Sequence, residues 1–145
     1  VSYWKNSITV FKHTINVTDK KYPNLAIIHN NLGIALFADR KNEEAISHYK
    51  MAIKLKPTHT KAYYNLGIAL FADRKNEEAI SHYKMAIKLN PNFTDAHYNL
   101  GVILLQKGEM KEAVYHFRKA LRLRPGFIRA RDHLELALLQ LQELE

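Results

Sequence analysis

The stretch NLGIALFADRKNEEAISHYKMAIKL occurs twice in this chain, at residues 31–55 and again at 65–89, without a difference across 25 residues. A third, looser copy, NLGVILLQKGEMKEAVYHFRKALRL, follows at residues 99–123, so the copies start 34 residues apart. Self-similarity at a fixed period predicts a repeat architecture, in which each unit packs on its neighbours. Since the second and third copies share only nine of these residues, the fold tolerates change at the other positions. The identity of the first two copies therefore indicates a recent duplication.

The composition is typical of an ordered helical chain. Hydrophobic residues make up 47% of the 145 residues, with only five glycines and four prolines. No apolar run approaches the ~18 residues that a membrane span needs, and we recognise no signal peptide. Because the chain begins at Val1 and not at a methionine, we expect its natural N-terminus to be missing, so that any membrane attachment would come from a missing part. The absence of cysteine excludes disulfides and thiolate metal sites.

Each unit predicts two amphipathic helices. In the second copy, apolar residues recur at steps of three and four, first around Leu66 and Leu70 and then from Ala79 onwards. We predict that Asn42 and Asn76 cap the second helices, with glutamates in the first turn. A proline follows each second helix and ends it. These prolines are Pro57, Pro91 and Pro125.

Small residues and turn residues recur with the same period. The turn of the third unit contains Gly108, where the duplicated units have Arg40 and Arg74. If these arginines adopt a positive φ, each costs about 1 kcal/mol. We also expect the glycines of the first helices to face alanines of the second, which would let the helices approach closely. The expected pairs are Gly33 with Ala45, Gly67 with Ala79, and Gly101 with Ala113, and Ala52, Ala86 and Ala120 would face the next unit.

The pattern N-L-G-x-x-L, followed by E-A-x-x-x-[YF]-x-x-A-[IL]-x-L-x-P at a period of 34, resembles the tetratricopeptide repeat. The resemblance implies an all-α, right-handed superhelix of helical hairpins, with units at residues 26–59, 60–93 and 94–127. Residues 1–25 resemble a half-unit that covers the first hairpin, and residues 128–145 a capping helix with Glu135 where a unit has glycine. The segment W-K-N-S-I-T-x-F, running into H-N-N-L-G, is also similar to a junction in some bacterial polytopic glycosyltransferase-like membrane proteins.

No arrangement of residues predicts catalysis, a cofactor or a metal site. The phosphate-binding loop, zinc-protease and nucleophile-elbow motifs are absent. The periodic histidines His48, His82 and His116 would lie roughly 10 Å apart on stacked helices, too far to share one zinc ion. We therefore interpret them as exposed histidines of the second helices.

Basic residues follow the second helices in two rows. One row is Lys50, Lys84 and Arg118, and the other is Lys54, Lys88 and Arg122. In the tetratricopeptide fold they would lie on the outer, convex side. Clustered cations can bind nucleic acid or acidic lipid, but cations near a helix C-terminus are favoured by its dipole alone. The rows and the net charge of +8 make binding to an anionic surface a less favoured alternative. We expect no binding to nucleic acid.

The resemblance places the first helices on the inner, concave surface. Its predicted groove residues are Asn30, Asn31, Ile34, Phe37, Tyr64, Asn65, Ile68, Phe71, Tyr98, Asn99 and Val102. Apolar surface rimmed by polar groups commonly marks a binding groove, although the aliphatic residues could instead pack between helices. The asparagine row resembles the ladder by which the repeats of O-linked N-acetylglucosamine transferase hold a peptide main chain. The carboxylate clamp of chaperone-binding relatives is not reproduced, since its positions hold Asn30, Ile34, Asn65, Asp95 and Asn99.

The sequence thus predicts a non-catalytic scaffold that binds a protein or an extended peptide in its concave groove. The alternative is a structural or self-assembly module whose groove is filled by a neighbouring copy. The cap helix has more apolar positions than one packing face needs, which predicts weak self-association. These positions are Leu138, Leu139, Leu141 and Leu144.

Overall fold

A computed structural model describes the backbone of residues 3–17 and 24–143, and within these ranges the chain is helical without strands. The protein is an all-α helical repeat solenoid. No helix among these residues has the length and hydropathy of a membrane span. The helices are α1 (Tyr3–Val17), α2 (Leu25–Ala38), α3 (Asn42–Leu55), α4 (Thr60–Ala72), α5 (Asn76–Leu89), α6 (Thr94–Gln106), α7 (Met110–Leu123) and α8 (Ile128–Gln142).

The helices form two compact units, Val1–His82 and Tyr83–Glu145, whose boundary lies within α5. In the first unit, α1 packs on α2, α2 on α3, and α3 on α4. In the second unit, α6 packs on α7 and α7 on α8. The second helices α3 and α7 therefore each lie between the first helix of their own hairpin and the next first helix.

The first helices α2, α4 and α6 end in the same way. The residue after each helix cap has a positive φ, which is 62° at Arg40, 58° at Arg74 and 81° at Gly108. Two backbone hydrogen bonds close each turn, as in Lys41 N–H to the Leu36 carbonyl (2.9 Å) and Arg40 N–H to the Phe37 carbonyl (3.0 Å). These are the two bonds of a Schellman motif. Arg40 and Arg74 thus adopt the positive φ considered above, and the energetic cost of this conformation stays a prediction.

The predicted asparagine caps are wrong. Lys41 precedes α3, and Asn42 is already the first helical residue, as Asn76 is in α5. The Asn42 side chain instead donates from Nδ2 to the carbonyl of Ala69 in α4, at 3.0 Å. The amide points away from its own helix, so it connects α3 to the next first helix.

Two glycines of the first helices, Gly33 and Gly101, face aromatic rings of the second helices. A Cβ atom on Gly33 would lie 2.5 Å from Cε1 of Tyr49, and one on Gly101 would lie 2.7 Å from Cε1 of Phe117. In both cases the three nearest atoms belong to the ring, so the predicted contact with the alanine is not the closest one. The reason is that a flat ring on the second helix needs the space that a side chain would occupy.

The alanine predicted to face the next unit behaves as expected in the second unit. Ala120 of α7 forms a buried cluster with Phe127 and Ala130 at the start of α8. Glu135 of α8 is exposed, in agreement with a solvated cap. Leu144 lies outside the described residues.

Candidate partner-binding surface

Most of the predicted groove residues lie on α2 and α4 of the first unit, and these two helices contact each other. Ile34 is 41% exposed, as expected for a residue that contacts a partner. The other apolar and aromatic members are half-buried, so they both pack and present surface. They are Phe37, Tyr64, Ile68 and Phe71.

The asparagines of the first unit are paired with one another. Asn65 donates from Nδ2 to Oδ1 of Asn30 at 2.9 Å, and Nδ2 of Asn30 lies 3.5 Å from Oδ1 of Asn31. Asn30 is only 3% exposed, so its prediction as a surface residue is wrong. Buried amides are normally hydrogen-bonded, and the Asn30 amide is paired with Asn65 between α2 and α4. Asn31 and Asn65 remain half-buried, and their contact with a peptide main chain stays a prediction.

In the second unit, the predicted groove residues are Tyr98, Asn99 and Val102 of α6, all half-buried. The Tyr98 ring lies 4.7 Å from that of Phe127 and edge-on to His133. Its hydroxyl is 3.4 Å from Nδ1 of His133, which donates to the Arg129 carbonyl at 2.8 Å. Tyr98 is therefore held between helices, and truncating it would disturb packing as well as the surface.

A cleft of about 500 Å³ opens beside α6 in the second unit. It combines apolar side chains with two glutamine amides, and no ionised lysine, arginine, aspartate or glutamate lines it. The lining residues are Val102, Leu105, Gln106, Gly108, Met110, His133, Leu136 and Gln140. An uncharged cleft of this kind can accept an apolar side chain, while the amides can pair with a main chain. Of the predicted groove residues, Val102 lies here.

The periodic histidines differ from the prediction. His48 and His116 are half-buried and paired, His48 with His29 (Nδ1 to Nδ1, 2.8 Å) and His116 with His97 (2.9 Å). His82 faces Tyr63, with ring centroids 6.0 Å apart. The sequence contains the partners, because the fourth residue of the three units is His29, Tyr63 and His97 in turn. Only the folded hairpin shows that this residue contacts the histidine of the second helix. Among the described residues, no group of three or more potential ligands could hold a metal ion.

All six residues of the basic rows are exposed, so they remain available to solvent or to anions. The ion pairs that the structure describes include none of these six residues. Arg124, which lies outside the rows, does form one with Asp95, with Nη1 and Oδ1 3.0 Å apart.

The family comparison agrees with the helical architecture. A family model of the tetratricopeptide repeat matches residues 30–93 and 64–126. The chain therefore belongs to the tetratricopeptide repeat family. This family consists in general of non-catalytic protein-interaction modules. No significant match was found among curated proteins.

Several solved structures are similar. The crystal structure of MamA superposes with a TM-score of 0.84 at 30% identity, over 92% of this chain and 76% of that one. The first tetratricopeptide domain of Spaghetti (RPAP3), bound to the HSP90 peptide SRMEEVD, gives 0.78 at 25% identity, over 81% of this chain and 93% of that one. YrrB, at 22% identity and a TM-score of 0.77, covers 89% of this chain and 64% of that one, and supports the fold alone. The similarity to glycosyltransferase-like membrane proteins stays a prediction.

Proposed function

We propose that this chain is a non-catalytic interaction module that binds an extended segment of a partner protein on its first helices. The observation that carries the proposal is the uncharged cleft that Val102, Leu105 and Leu136 line in the second unit. Ile34, exposed on α2, gives the first unit a second apolar contact point. The related RPAP3 domain, which was solved with a peptide, supports the same class of function.

The partner segment should carry apolar side chains and not an acidic C-terminus. The peptide bound to the RPAP3 domain, SRMEEVD, ends in acidic residues. In this chain the carboxylate-clamp positions include Ile34 and Asp95, and Asp95 is already paired with Arg124. An anionic peptide would therefore find an aspartate and an apolar side chain where it needs cations.

The expected affinity follows from the size of the contacts. Burying one leucine- or phenylalanine-sized side chain contributes about 1.5–3 kcal/mol, and each main-chain hydrogen bond adds about 1 kcal/mol. Ordering a flexible segment opposes part of this gain. Two or three anchors therefore favour binding no tighter than micromolar, since 1 μM corresponds to about 8 kcal/mol.

The test is a peptide selected from a random library, with its dissociation constant measured by fluorescence anisotropy. Leu105→Asp with Leu136→Asp places two charges in the cleft at positions that are not fully buried. This pair should weaken binding at least tenfold, because the peptide would bury apolar surface against carboxylates. The control pair Lys54→Ala and Lys88→Ala, on the basic rows, should leave the constant unchanged. Loss of binding in the control pair alone would refute the proposal.

A second candidate function is self-assembly, and the exposed apolar residues of α8 favour it. Ile128 is 66% exposed and Leu139 is 59% exposed. A neighbouring copy that covers them would bury this surface. Binding of an anionic surface by the basic rows is a third, less favoured function, and salt distinguishes it, because counterion release makes phosphate binding fall steeply with ionic strength.

A further inference from the structure

Two pairs of histidines join the first and second helices of their hairpins. His29 and His48 join α2 to α3, and His97 and His116 join α6 to α7. The Nδ1 atoms are 2.8 Å and 2.9 Å apart, which is hydrogen-bonding distance. A neutral imidazole has one N–H group and one lone pair, so each contact needs a donor ring and an acceptor ring.

The tautomers of the second pair follow from the surrounding atoms. Nε2 of His97 lies 3.0 Å from the carbonyl oxygen of Pro91, which can only accept. Nε2 of His97 must therefore carry the proton, and its Nδ1 offers a lone pair. His116 then donates from Nδ1–H, and its own Nε2 is left unprotonated.

An intact pair can hold only one additional proton. A proton on Nε2 of His116 preserves the hydrogen bond, but a second proton, on Nδ1 of His97, would place two N–H groups face to face. The unfolded chain has no such restriction, and both rings become charged below the ordinary histidine range, near pH 6.5. Acid therefore favours the open hairpin by at least one proton for each pair.

The neighbouring charges act in the same direction at the second pair and partly cancel at the first. Burial lowers the pKa of all four histidines, and it lowers that of His116 to about 4, with His97 and Lys84 contributing. At His97, the hydrogen bond to the Pro91 carbonyl raises the pKa, and Lys119 lowers it. Around His48, Lys12 of α1 opposes protonation and Glu44 of α3 favours it, while these two side chains form an ion pair at 3.3 Å.

The middle unit, residues 60–93, provides an internal comparison. Its second-helix histidine, His82, faces Tyr63 in place of a histidine, with ring centroids 6.0 Å apart. A tyrosine does not become charged in mild acid, so a proton on His82 meets no second cation in the opposite ring. Burial, and to a smaller extent Lys50, still lower the pKa of His82, while Glu78 raises it, so this hairpin differs from the other two in lacking the second histidine. Positions 63 and 82 thus show that the hairpin accepts tyrosine opposite histidine.

We propose that the two histidine pairs are acid-sensitive contacts, which in mild acid open the α2–α3 and α6–α7 hairpins in preference to the hairpin that contains Tyr63 and His82. Since the folded pairs stay largely neutral, their stabilisation is complete above about pH 6.5. It is lost as the pH falls from there towards the lower pKa values of the folded rings. The device is independent of what the first helices bind.

The experiment exchanges the two kinds of contact and measures unfolding in urea by circular dichroism at pH 7.5 and pH 5.0. Excluding one proton from each pair should make the unfolding equilibrium constant rise roughly 30-fold per pair between these values. His29→Tyr with His97→Tyr, which copies the middle unit, should reduce this rise, because one titrating ring is removed from each pair, while burial still lowers the pKa of His48 and His116. Tyr63→His creates a third pair and should increase it by about the same factor. An equal pH dependence in all three proteins would overturn the proposal.

A spectroscopic test does not depend on any variant. Long-range ¹H–¹⁵N correlation spectra at pH 7.5 distinguish the two histidine tautomers. We expect His97 as the Nε2–H form and His116 as the Nδ1–H form, the less common one in water. Finding His116 protonated only at Nε2 would remove the hydrogen bond on which the proposal depends, and would overturn it.

Discussion

Replacing Gly33 by alanine should destabilise the protein, although alanine is the better helix former. The intrinsic preference of a helix interior favours alanine over glycine by about 1 kcal/mol. The new Cβ, however, would lie 2.5, 2.7 and 3.0 Å from three atoms of the Tyr49 ring. Tyr49 is 2% exposed, so the ring has no solvent space into which it can move.

Overpacking of this kind costs typically 1–3 kcal/mol, and two of these contacts are shorter than side-chain carbon atoms normally make. After subtracting the helical preference, we therefore expect a net loss of up to about 2 kcal/mol, or a decrease in Tm of up to about 8 °C. Gly101→Ala should cost less, because its shortest contact to Phe117 is 2.7 Å and not 2.5 Å. Gly126→Ala is the control, since no atom lies within 4 Å of its Cβ position.

Urea unfolding followed by circular dichroism at 222 nm measures all three variants. The same substitution in a Tyr49→Leu background should become neutral or stabilising, because the obstructing ring is gone and the helical preference remains. If Gly33→Ala raises the urea midpoint in the otherwise unchanged protein, the packing of Tyr49 on Gly33 is wrong.

The other predictions concern the turns, the number of repeats and the cap. Arg40→Gly and Arg74→Gly should each raise Tm by a few degrees, because glycine adopts the positive φ without strain, whereas Gly108→Ala should lower it; no change in any of the three would exclude strain at this position. Deleting residues 26–59 or 60–93 should leave a folded but less stable protein, and loss of the helical circular dichroism signal after either deletion would contradict nearest-neighbour stabilisation. The mass measured by light scattering should rise weakly with concentration and should stop rising in Leu139→Lys, while a strictly monomeric mass at high concentration would count against self-association through α8.

The repeating fold could be predicted from the sequence because its signals are local and periodic. The helices follow from apolar spacing, and the strained turn at Arg40 follows from aligning it with Gly108. Such features need only the conformation of neighbouring residues, which short-range sequence patterns record.

The contacts between helices could not be predicted in the same way. The Asn30–Asn65 bond joins consecutive first helices, and its amide could equally have faced a groove. The contacts of Gly33 with Tyr49 and of His48 with His29 depend on how each helix is rotated about its axis. A periodic pattern fixes that rotation only to within about one residue position. Asn42 shows the same difficulty, because a side chain suited to cap its own helix reached the next one.

The central claim is that a partner segment binds along the first helices, and chemical-shift mapping tests it most directly. A library-selected peptide would be titrated into the ¹⁵N-labelled protein, and each amide shift followed to saturation. We predict the largest changes on α2 and α6, around Ile34 and Val102, with small changes at Lys54 and Arg122. Changes concentrated on α3 and α7, around Lys54 and Arg122, would contradict the claim and place the partner on the basic rows.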